Sequence, residues 1–135
     1  MAGPTASATL TWTGDLRFDA VAGHAALVID GQSKAGPSPI DALAMAVAGC
    51  MAVDVVDIIT KGRHELRGLT TRLTAERAAD PPRRFVRVAL HFEIDGPVPE
   101  AAIERALQLS RDKYCSVWQT CRQDIPLTTT FEVRA

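Results

Sequence analysis

The sequence predicts an α+β fold in which a largely antiparallel sheet is combined with two helices in the order βββ-α-ββ-α-β. Short segments of alternating polar and apolar residues, separated by turn residues, predict the strands. Two other stretches have the spacing of helices, and one of them, Ser38 to Lys61, is apolar on nearly every side. A chain of 135 residues with 47% hydrophobic and 23% charged residues is expected to form one domain over residues 1–135.

The N-terminal part of the chain predicts three short strands. Apolar residues alternate with polar ones over residues 5–12, 16–20 and 25–29, and the first strand is expected to bury one face. Tight turns at Gly14 and Gly23 would connect them as an antiparallel meander. A loop containing Gly36-Pro37 then leads into the apolar helix.

The helix from Ser38 to Lys61 carries recognisable start and stop signals. Ser38 is a good N-cap, Pro39 suits the first helical position, and Asp41 places a carboxylate over the exposed N–H groups. Gly62 is a reasonable stop. A soluble helix that is hydrophobic all round has to be enclosed by protein. Cys50 lies in its middle.

The remaining elements are predicted from the same periodicities. A hairpin of two long strands surrounds the break at Pro81-Pro82, a second helix runs from Pro99 to Lys113, and Ser116 caps a short turn that reaches Cys121. The strands are expected over residues 66–77, 86–94 and 127–133, and the buried stripe of the second helix comprises Ile103, Ala106, Leu107, Ser110 and Tyr114.

Charge and cysteine content exclude several classes of function. The net charge of −1 provides no basic surface for nucleic acid. Asp54, Asp57 and Lys61 within the apolar helix argue against a membrane span, and no secretory signal precedes the first strand. The expected compartment is therefore the cytoplasm, where three cysteines predict thiol chemistry rather than a disulfide framework.

Two cysteine-containing segments together carry a resemblance to a known family. GPSPIDALAMAVAGCMAVDVV, followed later by ERALQLSRDKYCSV, resembles the OsmC/Ohr family of organic-hydroperoxide-related proteins. The SPxD start, the AGC segment and KYCSV are more similar to the general OsmC-like branch than to the dedicated peroxidases. The resemblance implies the OsmC-like fold and an intertwined homodimer, in which the two Cys-bearing helices pack centrally and sheets wrap them.

The resemblance also implies a function and a pair of catalytic residues. Peroxidase members reduce organic hydroperoxides, so Cys50 is expected to be the peroxidatic cysteine and Cys115 the resolving one. An external dithiol reductant is expected, with no bound cofactor and no metal. The alternative is a non-catalytic dimer that binds a small apolar ligand at its interface. A cysteine nucleophile for acyl transfer is a weaker third reading, since no oxyanion motif is visible.

Activation of Cys50 requires a cation, because burial within a helix and the carboxylate of Asp54 one turn further on both oppose a thiolate. Peroxidase members use an arginine from the N-terminal strands, held by a glutamate directly after the helix-opening proline. Arg17 is the candidate here, but Ile40 occupies the glutamate position and the acid follows at Asp41. Asp41 lies ~13 Å along the helix axis from Cys50, so it would act through Arg17 or across the dimer.

The remaining candidates have ordinary structural readings. Cys121 matches no family cysteine and is interpreted as a core or adventitious residue, with a resolving role as the alternative. Tyr114 and Trp118 are expected to pack the core near Cys115, with the lining of a ligand pocket as the alternative for either. The histidines, His24, His64 and His91, fall in a turn, a loop and a strand, where nothing pairs them with Cys50.

Overall fold

The computed structural model describes residues 2–135 and divides the chain into two compact units, one ending at Leu43 and one comprising Ala44–Ala135. The described residues confirm the predicted α+β order, with one further short helix. The strands are β1 (Thr9–Gly14), β2 (Arg17–Ala22), β3 (Ala25–Asp30), β4 (Gly68–Arg77), β5 (Phe85–Asp95) and β6 (Leu127–Arg134). The helices are α1 (Pro39–Lys61), α2 (Glu100–Leu109) and α3 (Ser116–Thr120).

The N-terminal unit contains the predicted meander. Its three strands pair antiparallel in the order β1-β2-β3, although β1 begins at Thr9 rather than at residue 5. The prediction that β1 buries one face is wrong for the single chain, because Leu10 and Trp12 are 51% and 65% exposed. Alternation in the sequence specifies which residues share a face, but it does not specify what covers that face.

A buried carboxylate organises the loop between β3 and α1. Asp30 accepts hydrogen bonds from the backbone N–H groups of Gln32, Lys34 and Ala35, at 2.8, 3.2 and 2.9 Å. Its own N–H donates to the carbonyl oxygen of Pro37 at 3.0 Å. Glycine is required at position 36, because a Cβ atom there would overlap the carbonyl of β3. This loop therefore fixes the point at which the chain enters α1.

Helix α1 begins where the sequence predicts. The N–H of Asp41 donates to the Ser38 hydroxyl at 3.2 Å, and the helix runs from Pro39 to Lys61. Its end differs in detail, since Arg63, with φ of 63°, takes the left-handed position that was expected of a glycine. The N–H groups of Arg63 and His64 donate to Thr60 and Ile59, which is the Schellman arrangement.

Two faces of α1 have opposite environments. Val47, Met51, Val55 and Ile59, spaced four residues apart, are at most 1% exposed, whereas Met45 and Val53 are 62% and 67% exposed. The expectation that the helix is enclosed on all sides is therefore not met within one chain. By length and composition alone the helix could cross a membrane, with mean hydropathy of 2.1 over a window that is 22% buried. Core helices of soluble proteins meet the same criterion.

The C-terminal unit is built around β5. This strand pairs antiparallel with β4 as the predicted hairpin and, on its other side, parallel with β6. A parallel neighbour requires a crossover connection, and the helical segment between β5 and β6 provides it. The central position of β5 explains its burial, since Val88, Leu90, Phe92 and Ile94 are at most 1% exposed.

The end of α2 departs from the prediction of a regular helix through Lys113. A π-helical segment covers Ser110–Tyr114, and the N–H of Cys115 donates to the Ser110 carbonyl at 2.8 Å. The wider turn changes the helical phase, so Ser110 is buried as predicted but Tyr114 is 50% exposed. Cys115, rather than Ser116, caps the following helix α3.

Candidate functional site

Two cysteines from distant parts of the sequence meet in the C-terminal unit. Cys50 comes from the middle of α1, and Cys115 comes from the junction between the π-helical segment and α3. Their sulfur atoms and a carboxylate oxygen of Asp54 all lie within 4.8 Å of one another. Asp54 is one helical turn after Cys50, so both side chains project from the same side of α1. All cysteines in the described residues are free thiols.

The two thiols differ in their access to solvent. Cys115 is completely buried, whereas Cys50 is only partly buried. The Cys115 sulfur also accepts a hydrogen bond from the backbone N–H of Trp118 at 3.3 Å, which fixes its position at the start of α3. A small molecule from solvent would therefore meet Cys50 first.

The environment of Cys115 favours the protonated thiol. Burial raises its pKa to about 12, with further contributions from the hydrogen bond to Cys50 and from the negative charges of Cys50 and Asp54. The N–H of Trp118 acts in the opposite direction but does not compensate. At neutral pH Cys115 is therefore a hydrogen-bond donor rather than a nucleophilic thiolate.

Asp54 has a specific partner in the π-helical segment. The Ser110 hydroxyl, which is fully buried, donates to Asp54 Oδ2 at 2.8 Å. Among the described residues of Ala44–Ala135, the ion pairs involve other carboxylates and leave Asp54 without a cationic partner. Sequence reasoning treated Asp54 only as an unfavourable neighbour of Cys50 and missed its bond to Ser110. The helical spacing of Cys50 and Asp54 was the available signal.

Arg17 and Asp41, the other predicted site residues, belong to the N-terminal unit. Arg17 is on β2, and its Nε donates to Asp30 Oδ2 at 3.3 Å. Asp41 is exposed in the first turn of α1, nine residues before Cys50. Sequence reasoning missed Asp30, the carboxylate that Arg17 contacts, and the proposed roles of Arg17 and Asp41 in activating Cys50 stay predictions.

Asp30 has the hydrogen bonds of a stable carboxylate. The backbone N–H of Ala35 and then that of Gln32 lower its pKa, and Lys34 N–H and the Arg17 side chain contribute in the same direction. Burial acts against them without prevailing. The charged form of Asp30 is therefore part of the loop structure that precedes α1.

Cys121 stands apart from the pair. It is partly buried at the C-terminal end of α3, where burial raises its pKa, and it is outside the group formed by Cys50, Asp54 and Cys115. Trp118 is buried next to Cys115, as the sequence predicted, whereas Tyr114 is exposed. A resolving role for Cys121 stays an alternative that experiment has to exclude.

The donor atoms of Cys50, Asp54 and Cys115 are close enough for one cation to bridge them. Two of the three groups already accept hydrogen bonds, Asp54 from Ser110 and Cys115 from the backbone N–H of Trp118. The sequence-based expectation of no metal and no bound cofactor stays a prediction. A chelator therefore belongs in every functional assay.

Two surface hollows adjoin this part of α1. One of about 320 Å³ is lined by Asp54, Asp57, Ile58, Lys61 and Tyr114. A second of about 550 Å³ has a mainly apolar lining. Its residues are Ala52, Val53, Val56, Asp57, Thr60 and Leu69. The first hollow exposes the Asp54 carboxylate, and the second offers an apolar contact surface on α1.

The chain is similar to proteins of one family along most of its length. The model of the family described as OsmC-like protein matches residues 31–130. Protein YhfA of Escherichia coli K12 is 37% identical over 131 residues, which cover 95% of this chain and 98% of the relative.

Solved structures with lower sequence identity share the fold. A hypothetical protein from Aquifex aeolicus superimposes with a TM-score of 0.90 at 24% identity, and the match covers 98% of each chain. An organic hydroperoxide resistance protein OsmC from Legionella pneumophila gives 0.71 at 17% identity, covering 98% of this chain and all of the other. The family match and the shared fold agree with each other, and the chain belongs to the OsmC-like family.

Proposed function

We propose that this protein is a thiol-dependent peroxidase that reduces organic hydroperoxides, with Cys50 as the peroxidatic and Cys115 as the resolving cysteine. The observation that carries the proposal is the pairing of two free thiols whose sulfur atoms lie within 4.8 Å, one partly accessible and one buried. Accessibility supports this assignment of roles, because only Cys50 is open to a substrate from solvent.

The reaction follows the chemistry of thiols. The Cys50 thiolate attacks the terminal oxygen of the hydroperoxide, the O–O bond breaks, and the departing alkoxide takes a proton to become an alcohol. Cys50 is then a sulfenic acid, which condenses with the Cys115 thiol to form a disulfide and release water. An external dithiol reduces the disulfide and returns both thiols.

The surroundings of Cys50 support an apolar substrate. Val53, three residues after Cys50 on α1, is 67% exposed, and Gly49 has open space where a side chain would stand. Such a surface would bind the hydrocarbon part of a bulky hydroperoxide more favourably than it would hydrogen peroxide. Arg17 is proposed as the activating cation, with Asp41 acting through it or across the dimer.

A homodimer is part of the proposal. Large apolar side chains are exposed on α1 and on the N-terminal strands, including Trp12 at 65% and Val53 at 67%. Exposed apolar side chains in such number mark interaction sites, and a second copy of the chain is the occupant that the family resemblance implies. Such a dimer would be soluble and cytoplasmic. Sedimentation analysis is expected to give twice the chain mass of 14.5 kDa.

Peroxide consumption provides the direct test. Wild-type protein with cumene hydroperoxide, a dithiol and a chelator is expected to consume peroxide over many turnovers, and Cys50→Ser is expected to abolish this activity. The matched control is Cys121→Ser, which also removes one thiol but leaves the pair intact. If wild type consumes no more peroxide than Cys50→Ser, the peroxidase proposal fails.

A second candidate function is the binding of a small apolar ligand without catalysis. The apolar hollow of about 550 Å³ beside α1 favours it. Calorimetry with cumyl alcohol, the reduced product, distinguishes the two functions. Tight binding that is unchanged in Cys50→Ser, without peroxide consumption, would support this second function.

A further inference from the structure

We propose that Asp54 is the general base that removes the proton from Cys115 during disulfide formation, with Ser110 holding the carboxylate in position. This inference rests on the peroxidase function proposed above and assigns a residue to its resolving step. It is based on the position of the Asp54 carboxylate, within 4.8 Å of both sulfur atoms and anchored by a buried hydroxyl.

The resolving step needs a base because Cys115 is held as a neutral thiol. A thiol is a poor nucleophile, and burial keeps this one protonated at neutral pH. The charged and titratable groups around Asp54 are few. Cys50 and Cys115 form the cluster, while Asp57, Lys61 and Tyr114 line the hollow on its other side. Lys61 Nζ donates to Asp57 Oδ2 at 2.9 Å, so Asp57 is paired with a cation. Asp54 is the carboxylate that lies near the two sulfur atoms.

The geometry supports transfer of a proton with little rearrangement. Ser110 bonds to Oδ2, and a carboxylate has lone pairs on both oxygens to accept a further proton. The distance to the sulfur of Cys115 allows transfer through a small side-chain rotation or one water molecule, because catalytic hydrogen bonds are often long before substrate binds. The buried position of Ser110 restricts the rotation of the carboxylate.

The step balances in atoms and electrons. The S–H bond of Cys115 breaks and its proton passes to Asp54, while the sulfur attacks the sulfur of the Cys50 sulfenic acid. The S–S bond forms as the S–O bond breaks, and the departing hydroxide takes the proton from Asp54 to become water. The sulfenic sulfur is reduced, the Cys115 sulfur is oxidised, and Asp54 returns to a carboxylate.

The test separates formation of the sulfenic acid from its resolution. Wild type, Asp54→Asn and Ser110→Ala are mixed with one equivalent of cumene hydroperoxide in the presence of a chelator and sampled by rapid quench. Dimedone labelling and mass spectrometry follow the sulfenic acid at Cys50 and the Cys50–Cys115 disulfide. The matched control is Asp112→Asn, which removes an exposed carboxylate of the π-helical segment that lies outside the cluster.

Asp54→Asn is expected to form the sulfenic acid at least as fast as wild type but to form the disulfide about 100-fold more slowly, the scale of general base catalysis. Its resolution rate is expected to rise about tenfold per pH unit between pH 6 and 8, because solvent hydroxide must replace the base, while the wild-type rate stays nearly constant. Ser110→Ala is expected to slow resolution by a smaller factor, and Asp112→Asn by less than about twofold.

The outcomes distinguish this inference from the peroxidase proposal. Absence of both the sulfenic acid and the Cys50–Cys115 disulfide in wild type would overturn the peroxidase function itself. Equal resolution rates and pH profiles in wild type and Asp54→Asn, with the sulfenic acid present, would overturn only the role of Asp54. A wild-type resolution rate that depends on a removable metal would also overturn it. If Asp54→Asn does not fold, the wild-type pH profile and Ser110→Ala decide between the same outcomes.

Discussion

Asp30 in the N-terminal unit and Cys115 in the C-terminal unit are both acids that are completely buried, yet their environments act in opposite directions. Three backbone N–H groups and Arg17 surround Asp30, and they lower its pKa. Cys115 accepts one backbone N–H and lies beside a second thiol and a carboxylate, and its pKa is raised.

The difference indicates what each buried group contributes. A buried charge whose lone pairs are all satisfied stabilises its surroundings and has little tendency to react. A buried acid that is kept neutral holds a proton that must leave before it reacts, so its chemistry depends on a neighbouring base. Asp30 therefore serves the loop before α1, whereas Cys115 is placed for a reaction.

Replacement of Cys115, the reactive group of the two, is expected to have the largest effect, which is on peroxide consumption. Cys115→Ser should reduce peroxide consumption from many turnovers to at most about three equivalents per chain, because the sulfenic acid at Cys50 has no resolving thiol and only its further oxidation consumes more peroxide. Intact-mass spectrometry after excess peroxide should show sulfinic and sulfonic acids at Cys50. Sustained turnover with a dithiol reductant would instead mean that the reductant attacks the sulfenic acid directly.

The dependence of stability on pH sharpens the comparison at a smaller scale. The pKa of Cys115 is about 12 in the folded state and about 8.5 in an unfolded chain. The neutral thiol therefore contributes fully to the free energy of unfolding below pH ~8, and this contribution is lost as pH rises toward 12. Relative to Cys115→Ala, wild type should lose up to about 1.4 kcal/mol of unfolding free energy per pH unit in this range. Urea titrations at several pH values measure the difference.

The opposite sign is expected for Asp30. Its pKa is lowered in the folded state. The charged carboxylate therefore contributes to the free energy of unfolding above the pKa of about 4 that Asp has in an unfolded chain, and this contribution is lost as pH falls below that value. Asp30→Asn should therefore be less stable than wild type at neutral pH, with a difference that narrows in acid. A difference that does not change with pH would assign its effect to shape rather than to charge.

Local signals in the sequence predicted much of the fold and pointed to the two cysteines of the cluster formed by Cys50, Asp54 and Cys115. The start of α1 follows from Ser38 and Pro39. The segments that contain Cys50 and Cys115 carry the resemblance to the family that the chain belongs to. These features depend on short stretches of sequence. The choice of Arg17 and Asp41 as site residues depended on the family resemblance, and their roles stay predictions.

The features that were missed depend on contacts between distant residues or on small changes of helical phase. The parallel pairing of β6 with β5 is set by the crossover, which no local pattern specifies. The π-helical segment turns Tyr114 out of the predicted buried stripe, and nothing in the periodicity of α2 predicts where the helix widens. Asp30 was not predicted as a functional residue, because its backbone partners become visible only in the folded loop.

Replacement of Cys121 is expected to have the smallest effect of all. Cys115 and Cys121 are the capping residues at the two ends of α3. They are six positions apart, so at 1.5 Å of helical rise per residue their Cα atoms are separated by about 9 Å. A disulfide requires Cα atoms within about 7 Å, so these two cysteines could pair only if α3 unwound. Cys121→Ser should change turnover by less than about twofold, and peptide mapping of oxidised wild type should find the Cys50–Cys115 bond. A Cys115–Cys121 bond would show that α3 opens during the reaction, and it would reassign the resolving step.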